Sequence, residues 1–164
     1  MLGRSEIKKL IDAGLVEGAP DIESQLQPNG LELTLKDVEV FDGAGKLGVD
    51  DREIAKSEPL DFDENGWLFL PPGAYKLRFN EIVKLPVEYG ALAKPRSTLL
   101  RCGVTIHTAV WDAGYRGRGE CLMVVYNTKG FWIRKGARIL QLVFFRLIGE
   151  SGRGYEGVFQ NENL

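Results

Sequence analysis

Asp112 and Tyr115 stand three residues apart in TAVWDAGYRGRGE (108–120), a glycine-spaced run between two apolar segments that read as strands. A carboxylate held in such a turn can orient a water and accept its proton, and the aromatic beside it offers a flat face the size of a sugar or base. Upstream, KPRSTLLR (94–101) gathers Arg96, Ser97 and Arg101, two guanidinium forks and a hydroxyl, within six residues. That composition suits phosphate oxygens, because arginine binds them bidentately and stays charged; Pro95 fixes the direction in which Arg96 is presented. Water, phosphates and a nucleoside together point to nucleotide hydrolysis. Taken singly, each residue has a plainer explanation: Asp-Ala-Gly is ordinary turn chemistry, Tyr115 a rim aromatic, Arg116 and Arg118 solvated charges, and 94–101 the basic edge of a strand.

The elements that must position these groups are mostly strands. Ile7, Leu10, Ile11 and Leu15 recur at helical spacing and predict one short amphipathic helix over 4–17, with Gly14 and Gly18 suited to stopping it. From residue 31 the period changes to two: LELTLKDVEV puts Leu31, Leu33 and Leu35 on one side and Glu32, Thr34 and Lys36 on the other, as in a half-buried strand. Further strands are expected at 67–70, 74–79, 81–86, 90–95, 103–110, 120–127, 130–134 and 138–148, separated by ENG, PPG, DAG, NTKG and RKG. Many short strands at this spacing indicate an antiparallel sandwich, jelly roll or barrel. Residues 42–66, rich in Gly, Asp and Glu, read as a loop or irregular strand pair leaving the core. The tail, 149–164, has the composition of a frayed terminus, yet a glycine-rich tail ending in an aromatic can also close over a ligand as a lid.

The chain's 164 residues suffice for one domain with its own core. A formal net charge of -2 gives no footprint for coating nucleic acid. Cys102 and Cys121 lack metal or disulfide spacing, the N-terminal stretch alternates charge with apolar residues unlike a signal peptide, and no run approaches a membrane span; the expected compartment is the cytoplasm.

Five segments, in order, carry a resemblance. PRSTLLR is similar to the Arg-Ser motif, VWDAGYRG to the Asp-x-x-Tyr-Arg-Gly motif and KGARILQLVF (135–144) to the Gly-x-Arg-Ile-x-Gln-Leu motif of the dUTPase and dCTP deaminase family; LQPNGLELTL (26–35) resembles its first motif and GYEGVFQ (154–160) its C-terminal one. The N-terminal helix resembles that of dCTP deaminases and archaeal dUTPases. The resemblance implies a mainly β, distorted jelly roll (β-clip) with a short N-terminal helix: a single domain over 1–164 with a β core over 26–148 and a C-terminal lid over 149–164. It also implies a homotrimer with sites at subunit interfaces, and Mg2+ bound through a triphosphate without a dedicated protein cage.

Within the family the resemblance leaves two enzymes open: a dUTPase, which sends water to the α-phosphorus of dUTP, and a dCTP deaminase, which needs a proton-shuttling glutamate on the strand after DAGYRG. The equivalent position is Leu122 counted from Gly117, or Val124 counted back from Tyr126-Asn127. Neither side chain can move a proton, and Glu120 is at least two residues out of place. Zinc-dependent deamination requires more histidine and cysteine than His107, Cys102 and Cys121 provide; His107 reads as a strand or hairpin residue, and a cupin-like metal site fails for the same reason.

The dUTPase reading gives Asp112 the attacking water and Tyr115 the deoxyribose. Backbone groups between about Gly103 and Trp111, Thr108 and Ala109 among them, would read the uracil. Arg96, Ser97 and Arg101 would neutralise the triphosphate, with Gln141 in support. Phe159 and Gln160 are the lid candidates, followed by Tyr155 and Arg153. Glu32, where the first motif usually has aspartate, would reach Mg2+ only through a water. A β-clip protein that binds nucleotide without catalysis is the alternative from another class.

Overall fold

The period-two alternation from residue 31 becomes the organising strand of the computed structural model, which describes residues 1–149 and 152–164. Two short helices and two short strands come first: α1 (Arg4–Asp12), β1 (Val16–Glu17), α2 (Ile22–Gln25) and β2 (Leu26–Gln27). The long β3 (Gly30–Phe41) follows, then β4 (Lys46–Leu47), β5 (Arg52–Glu53), β6 (Ser57–Pro59), β7 (Trp67–Leu70), β8 (Gly73–Phe79), β9 (Ile82–Lys84) and β10 (Tyr89–Pro95). After the one-turn α3 (Ser97–Arg101) come β11 (Val104–His107), β12 (Arg116–Gly117), β13 (Glu120–Val125), β14 (Phe131–Arg134) and β15 (Arg138–Arg146).

The principal sheet is antiparallel, ordered β10-β15-β3-β8-β13-β11, with β2 and β6 added along β3. It curls until its two outer strands approach each other, and the pairing of Ala91 with Trp111 helps close the seam. The result is the expected mainly β, jelly-roll-like shell. A second sheet, β1-β9-β12, lies under the Asp112 loop, while β7 pairs with β14 and β4 with β5. The shell is filled by side chains with no more than 1% exposure, among them Leu31, Leu33, Leu35, Leu77, Phe79, Met123, Leu142 and Phe144, each contributing about 1.5–3 kcal/mol by leaving water. A bulge between Arg138 and Leu140 shifts the register of β15 against β3. It explains why consecutive residues Ile139 and Leu140 are both buried, since an extra residue re-aims the side chains that follow it.

Several sequence-based expectations need correction: the strands expected over 81–86, 120–127 and 138–148 are shorter, at Ile82–Lys84, Glu120–Val125 and Arg138–Arg146. The helix expected over 4–17 stops at Asp12, because the chain turns through Gly14 (φ 95°) and returns as β1 to pair with β9. The strand expected over 103–110 ends at His107, leaving Thr108 to Val110 outside the sheet. The strand expected over 90–95 ends at Pro95 as predicted, but the basic segment beyond it is not a strand edge and coils into α3. Glu32 and Thr34 do not face water: both are 4% exposed, although they alternate with the leucines of β3. The cause is a polar cover over that face. Glu81, fully buried, accepts hydrogen bonds from Gln25 Nε2 (2.7 Å), Thr34 Oγ1 (2.7 Å) and Thr34 N (2.9 Å), and burial pushes its carboxyl pKa above the ordinary glutamate value.

Candidate functional site

Beyond His107 the chain leaves the sheet for three residues and is caught again at Trp111, whose amide and carbonyl each exchange a 3.0 Å hydrogen bond with Ala91. Trp111 is 5% exposed and packs where Gly119 has no side chain; a Cβ there would lie 3.0 Å from its ring. This anchors the next residue, Asp112, whose side chain is exposed. The loop then closes by Tyr115 N donating to Asp112 O (3.1 Å), and is fastened to the second sheet by Gly114 N to Leu85 O (3.0 Å) and Leu85 N to Tyr115 O (2.8 Å). Beside it opens a cavity of about 310 Å3 lined by Ala109, Val110, Trp111, Asp112, Tyr115, Gly119, Glu120, Tyr155, Phe159 and Glu162. Asp112 also borders a neighbouring cavity of about 350 Å3, to which Arg153 contributes.

Residues 150 and 151 of the expected lid lie outside the described residues; from Gly152 the tail folds back along the Asp112 loop of its own chain. Tyr155 N donates to Ala113 O (2.7 Å), Asn161 N to Arg116 O (2.7 Å) and Arg118 N to Glu162 O (3.0 Å). Gln160 is a clamp more than a wall of the cavity: its amide donates to Gly114 O (2.9 Å) and Tyr155 O (3.0 Å), and its Oε1 accepts from Arg116 N (2.8 Å). The two arginines of YRGR hold the tail as well. Arg116 Nη1 donates to Asn161 Oδ1 (3.1 Å), and Arg118 donates from Nε to Asn163 O (3.1 Å) and from Nη1 to Asn80 O. Arg118 is therefore not a solvated charge. The crossing itself depends on glycine: Gly114 has φ 81°, and a Cβ there would come 2.7 Å from Gly154 Cα.

Inside this closure Tyr115 is 7% exposed. Its ring meets Tyr155 edge-on, with centroids 5.9 Å apart, and its hydroxyl donates to Glu162 Oε1 at 2.7 Å. Burial, reinforced by the Glu162 carboxylate, pushes the phenol pKa well above its ordinary value. Burial likewise raises the Glu162 carboxyl, against the lowering effect of the tyrosine hydrogen bond.

The phosphate-type residues lie elsewhere on the chain. Arg96 caps α3, whose next residue is the exposed Ser97 and whose last is Arg101. Arg96 Nε donates to Glu32 Oε1 at 2.6 Å, and Arg138 Nη1 lies 3.1 Å from Glu32 Oε2 without hydrogen-bond alignment. Strand register puts Glu32 and Lys94 on either side of Gln141, and Gln141 Nε2 donates to Asn29 Oδ1 (3.2 Å). Together these groups form a polar face across β3, β15 and β10. Thr108 lines a third cavity with Lys94, Pro95, Leu100 and His107. Of the predicted residues, then, Ala109, Asp112, Tyr115, Tyr155 and Phe159 share one cavity and Gln160 fastens its cover, while Arg96, Ser97, Arg101, Thr108 and Gln141 are absent from its lining.

Sequence reasoning missed Glu162, Asn163 and Arg138. Arg138 sits in the RILQ motif and could have been read as a second partner for Glu32. Among the described residues, no cluster of three or more His, Cys, Asp or Glu could hold a metal. Glu32 does not fit a cation's shell, being enclosed by two guanidinium groups. Among the described residues, no helix is long and apolar enough to cross a membrane.

Comparison with known proteins bears on this arrangement. The fold is similar to that of the 2'-deoxycytidine 5'-triphosphate deaminase of Agrobacterium tumefaciens, with a TM-score of 0.70 and 21% identity over 87% of this chain. The chain spans about half of that protein, 47% of its length. A Methanosarcina barkeri protein named "Probable deoxyuridine 5'-triphosphate nucleotidohydrolase" is 54% identical over 99% of this chain and 98% of its own length. A protein of the same name from Archaeoglobus fulgidus is 46% identical over 100% and 98%. The family model described as dCTP deaminase-like matches residues 1–147. With the Asp112 loop, the RILQ strand and the shell that carries them inside that match, the chain belongs to the dCTP deaminase-like family.

Proposed function

We propose that this protein is a dUTP diphosphatase, hydrolysing dUTP to dUMP and pyrophosphate. The observation that carries the reading is the cavity at the Asp112 loop: it sets a carboxylate beside a buried tyrosine under an aromatic tail. The relatives at 54% and 46% identity carry the same activity in their names. Asp112 holds the attacking water and takes its proton as the α-phosphorus is attacked. Tyr115 presents its ring to the deoxyribose, backbone groups near Thr108 and Ala109 read the uracil edge, and Phe159 and Tyr155 exclude solvent from above.

Deamination is disfavoured by the strand that follows. Leu122 and Val124 carry no proton, and Glu120 is committed to ion pairs, with Arg78 Nη2 at 3.1 Å and Lys76 Nζ at 3.7 Å. The location of the phosphate face supports assembly. Arg96, Ser97, Arg101 and Gln141 from one copy complete the Asp112 cavity of another, which a homotrimer with sites between subunits provides. Mg2+ belongs to this proposal as part of the substrate, spreading the charge of the triphosphate. The protein side of that task falls to Arg96 and Arg101, which neutralise charge growing on the leaving pyrophosphate. The proposed compartment is the cytoplasm, where free cysteines such as Cys102 and Cys121 stay reduced.

The test is incubation with dUTP and, separately, dCTP in Mg2+, with chromatographic separation of the nucleotides and a pyrophosphate readout. dUMP and pyrophosphate from dUTP, with dCTP untouched, are expected. Deaminated product from dCTP would overturn the assignment, as would an Asp112→Asn variant as fast as the parent.

A further inference from the structure

The tail does more than cover the cavity. Among the described residues, Asn161 (φ 64°) and Asn163 (φ 54°) are the two non-glycine positions with left-handed backbone. Asparagine tolerates that conformation better than most residues, but it still costs energy and persists only where neighbours enforce it. Here the neighbours are the hydrogen bonds from Asn161 N to Arg116 O, from Arg118 N to Glu162 O, and from Asn163 Nδ2 to Arg118 O (3.1 Å). Glu162, the residue between the two asparagines, lines the cavity with Asp112 and accepts the Tyr115 hydroxyl at 2.7 Å. The last glycine of DAGYRG makes room for this contact: a Cβ on Gly117 would fall 2.6 Å from Tyr115 Oη and 3.1 Å from Glu162 Cγ.

A tyrosine held only by packing can swing its ring, whereas one whose hydroxyl is pinned keeps the plane that a sugar must meet. We propose that Glu162 is a positioning residue: by fixing the Tyr115 hydroxyl it locks the ring against the sugar and thereby sets discrimination between deoxyribose and ribose nucleotides. The proposal rests on the dUTP reading for its substrate, and on the tail geometry alone for the residue. Glu162 itself touches no reacting atom. Its effect is on the ratio of two substrates, because a ring free to withdraw no longer excludes the extra 2'-hydroxyl.

The experiment compares the full chain with its Glu162→Ala, Glu162→Gln, Tyr115→Phe and Glu162→Ala/Tyr115→Phe variants, measuring kcat/KM for dUTP and for UTP by pyrophosphate release. Losing a hydrogen bond to a charged group lowers the dUTP-to-UTP ratio about tenfold in Glu162→Ala. Glu162→Gln, whose amide oxygen still accepts from the phenol, keeps the parent ratio. Tyr115→Phe matches Glu162→Ala, and the double variant loses no more than either. A parent ratio in Glu162→Ala, or a loss in Glu162→Gln equal to that in Glu162→Ala, overturns the proposal. Calorimetric binding of dUMP against UMP on the same proteins reads discrimination without catalysis. A parent that prefers dUMP yet releases no pyrophosphate from dUTP refutes the hydrolase while leaving the positioning role to be decided by the binding ratios. A parent with no preference for the deoxynucleotide in either assay overturns the positioning role.

Discussion

Replacing Glu81 by alanine strips the acceptor from three donors at once. Gln25 Nε2, Thr34 Oγ1 and Thr34 N all end on its carboxylate, and Glu81 is fully buried. Each buried donor left without a partner costs about 1–3 kcal/mol. Thr34 N is rigid backbone in the centre of β3 and cannot turn away, while water entering the vacated space recovers part of the remainder. The expected loss is about 3–5 kcal/mol, a fall in melting temperature of about 10 °C for a chain of this size. Urea denaturation at fixed protomer concentration measures it, because assembly would otherwise move the midpoint by mass action. Glu81→Gln supplies the electrostatic half of the test. The folded-state pKa of Glu81 is raised, so the native chain binds this proton more tightly than the unfolded chain. The corresponding stability is complete below the ordinary glutamate value of about 4.3 and is lost as pH rises through the folded value. The stability of the parent relative to Glu81→Gln therefore falls as pH rises from about 4.3 towards neutrality. An alanine variant within about 1 kcal/mol of the parent, or a relative stability that grows with pH, would refute the reasoning that this network is closed to water.

Other perturbations separate the chemistry from its supports. Asp112→Asn is expected to slow dUTP hydrolysis by about 10²–10⁴ with nucleotide affinity retained, read by steady-state kinetics and by calorimetry with dUMP. Gly114→Ala combines an unfavourable left-handed backbone, about 1–2 kcal/mol, with a collision against Gly154; the tail should become sensitive to carboxypeptidase while far-ultraviolet dichroism is unchanged. Arg118→Ala removes the Nε contact to Asn163 O and the Nη1 contact to Asn80 O, so the same protease should release residues 160–164 faster than from the parent. Arg96→Ala leaves Glu32 with Arg138 alone and is expected to raise KM for dUTP and reduce its salt dependence; if KM stays put, the phosphate role of Arg96 is wrong.

The strands of the shell were legible because their side chains alternate and their turns are spelled in glycine, proline and asparagine. The strand over 67–70 appears as predicted, and the one expected over 130–134 begins one residue later, at Phe131. What stayed hidden depended on partners far away in the chain. Glu32 looks solvent-facing in LELTL, and only Arg96, 64 residues on, and Arg138 make its burial affordable. The α3 turn carries a single buried residue, Leu99, so no periodicity could announce it. Composition misjudged the tail for a related reason: its apolar content is low, and its attachment runs through backbone groups and amide side chains, which hydropathy does not register. The halves of the candidate site were each recognisable as motifs. Their separation within one chain was not, because motifs carry order along the sequence and not distance in space.

The length of β3 has a consequence for the order in which a nascent chain can mature. Its first half, Leu31–Thr34, pairs with β15, and its second half, Leu35–Val40, pairs with β8. During synthesis from the N-terminus the β8 side can zip as soon as residue 79 has emerged, since the loop to be closed is modest. On the opposite edge β6 can cover Glu39–Phe41 early, but the Leu31–Thr34 stretch has no partner there until residues 138–142 leave the ribosome, more than a hundred residues after it. For that interval an apolar strand edge is open to any passing chain. The shell can close only once β15 has emerged, and the tail, made after it, is added to a surface that has just formed.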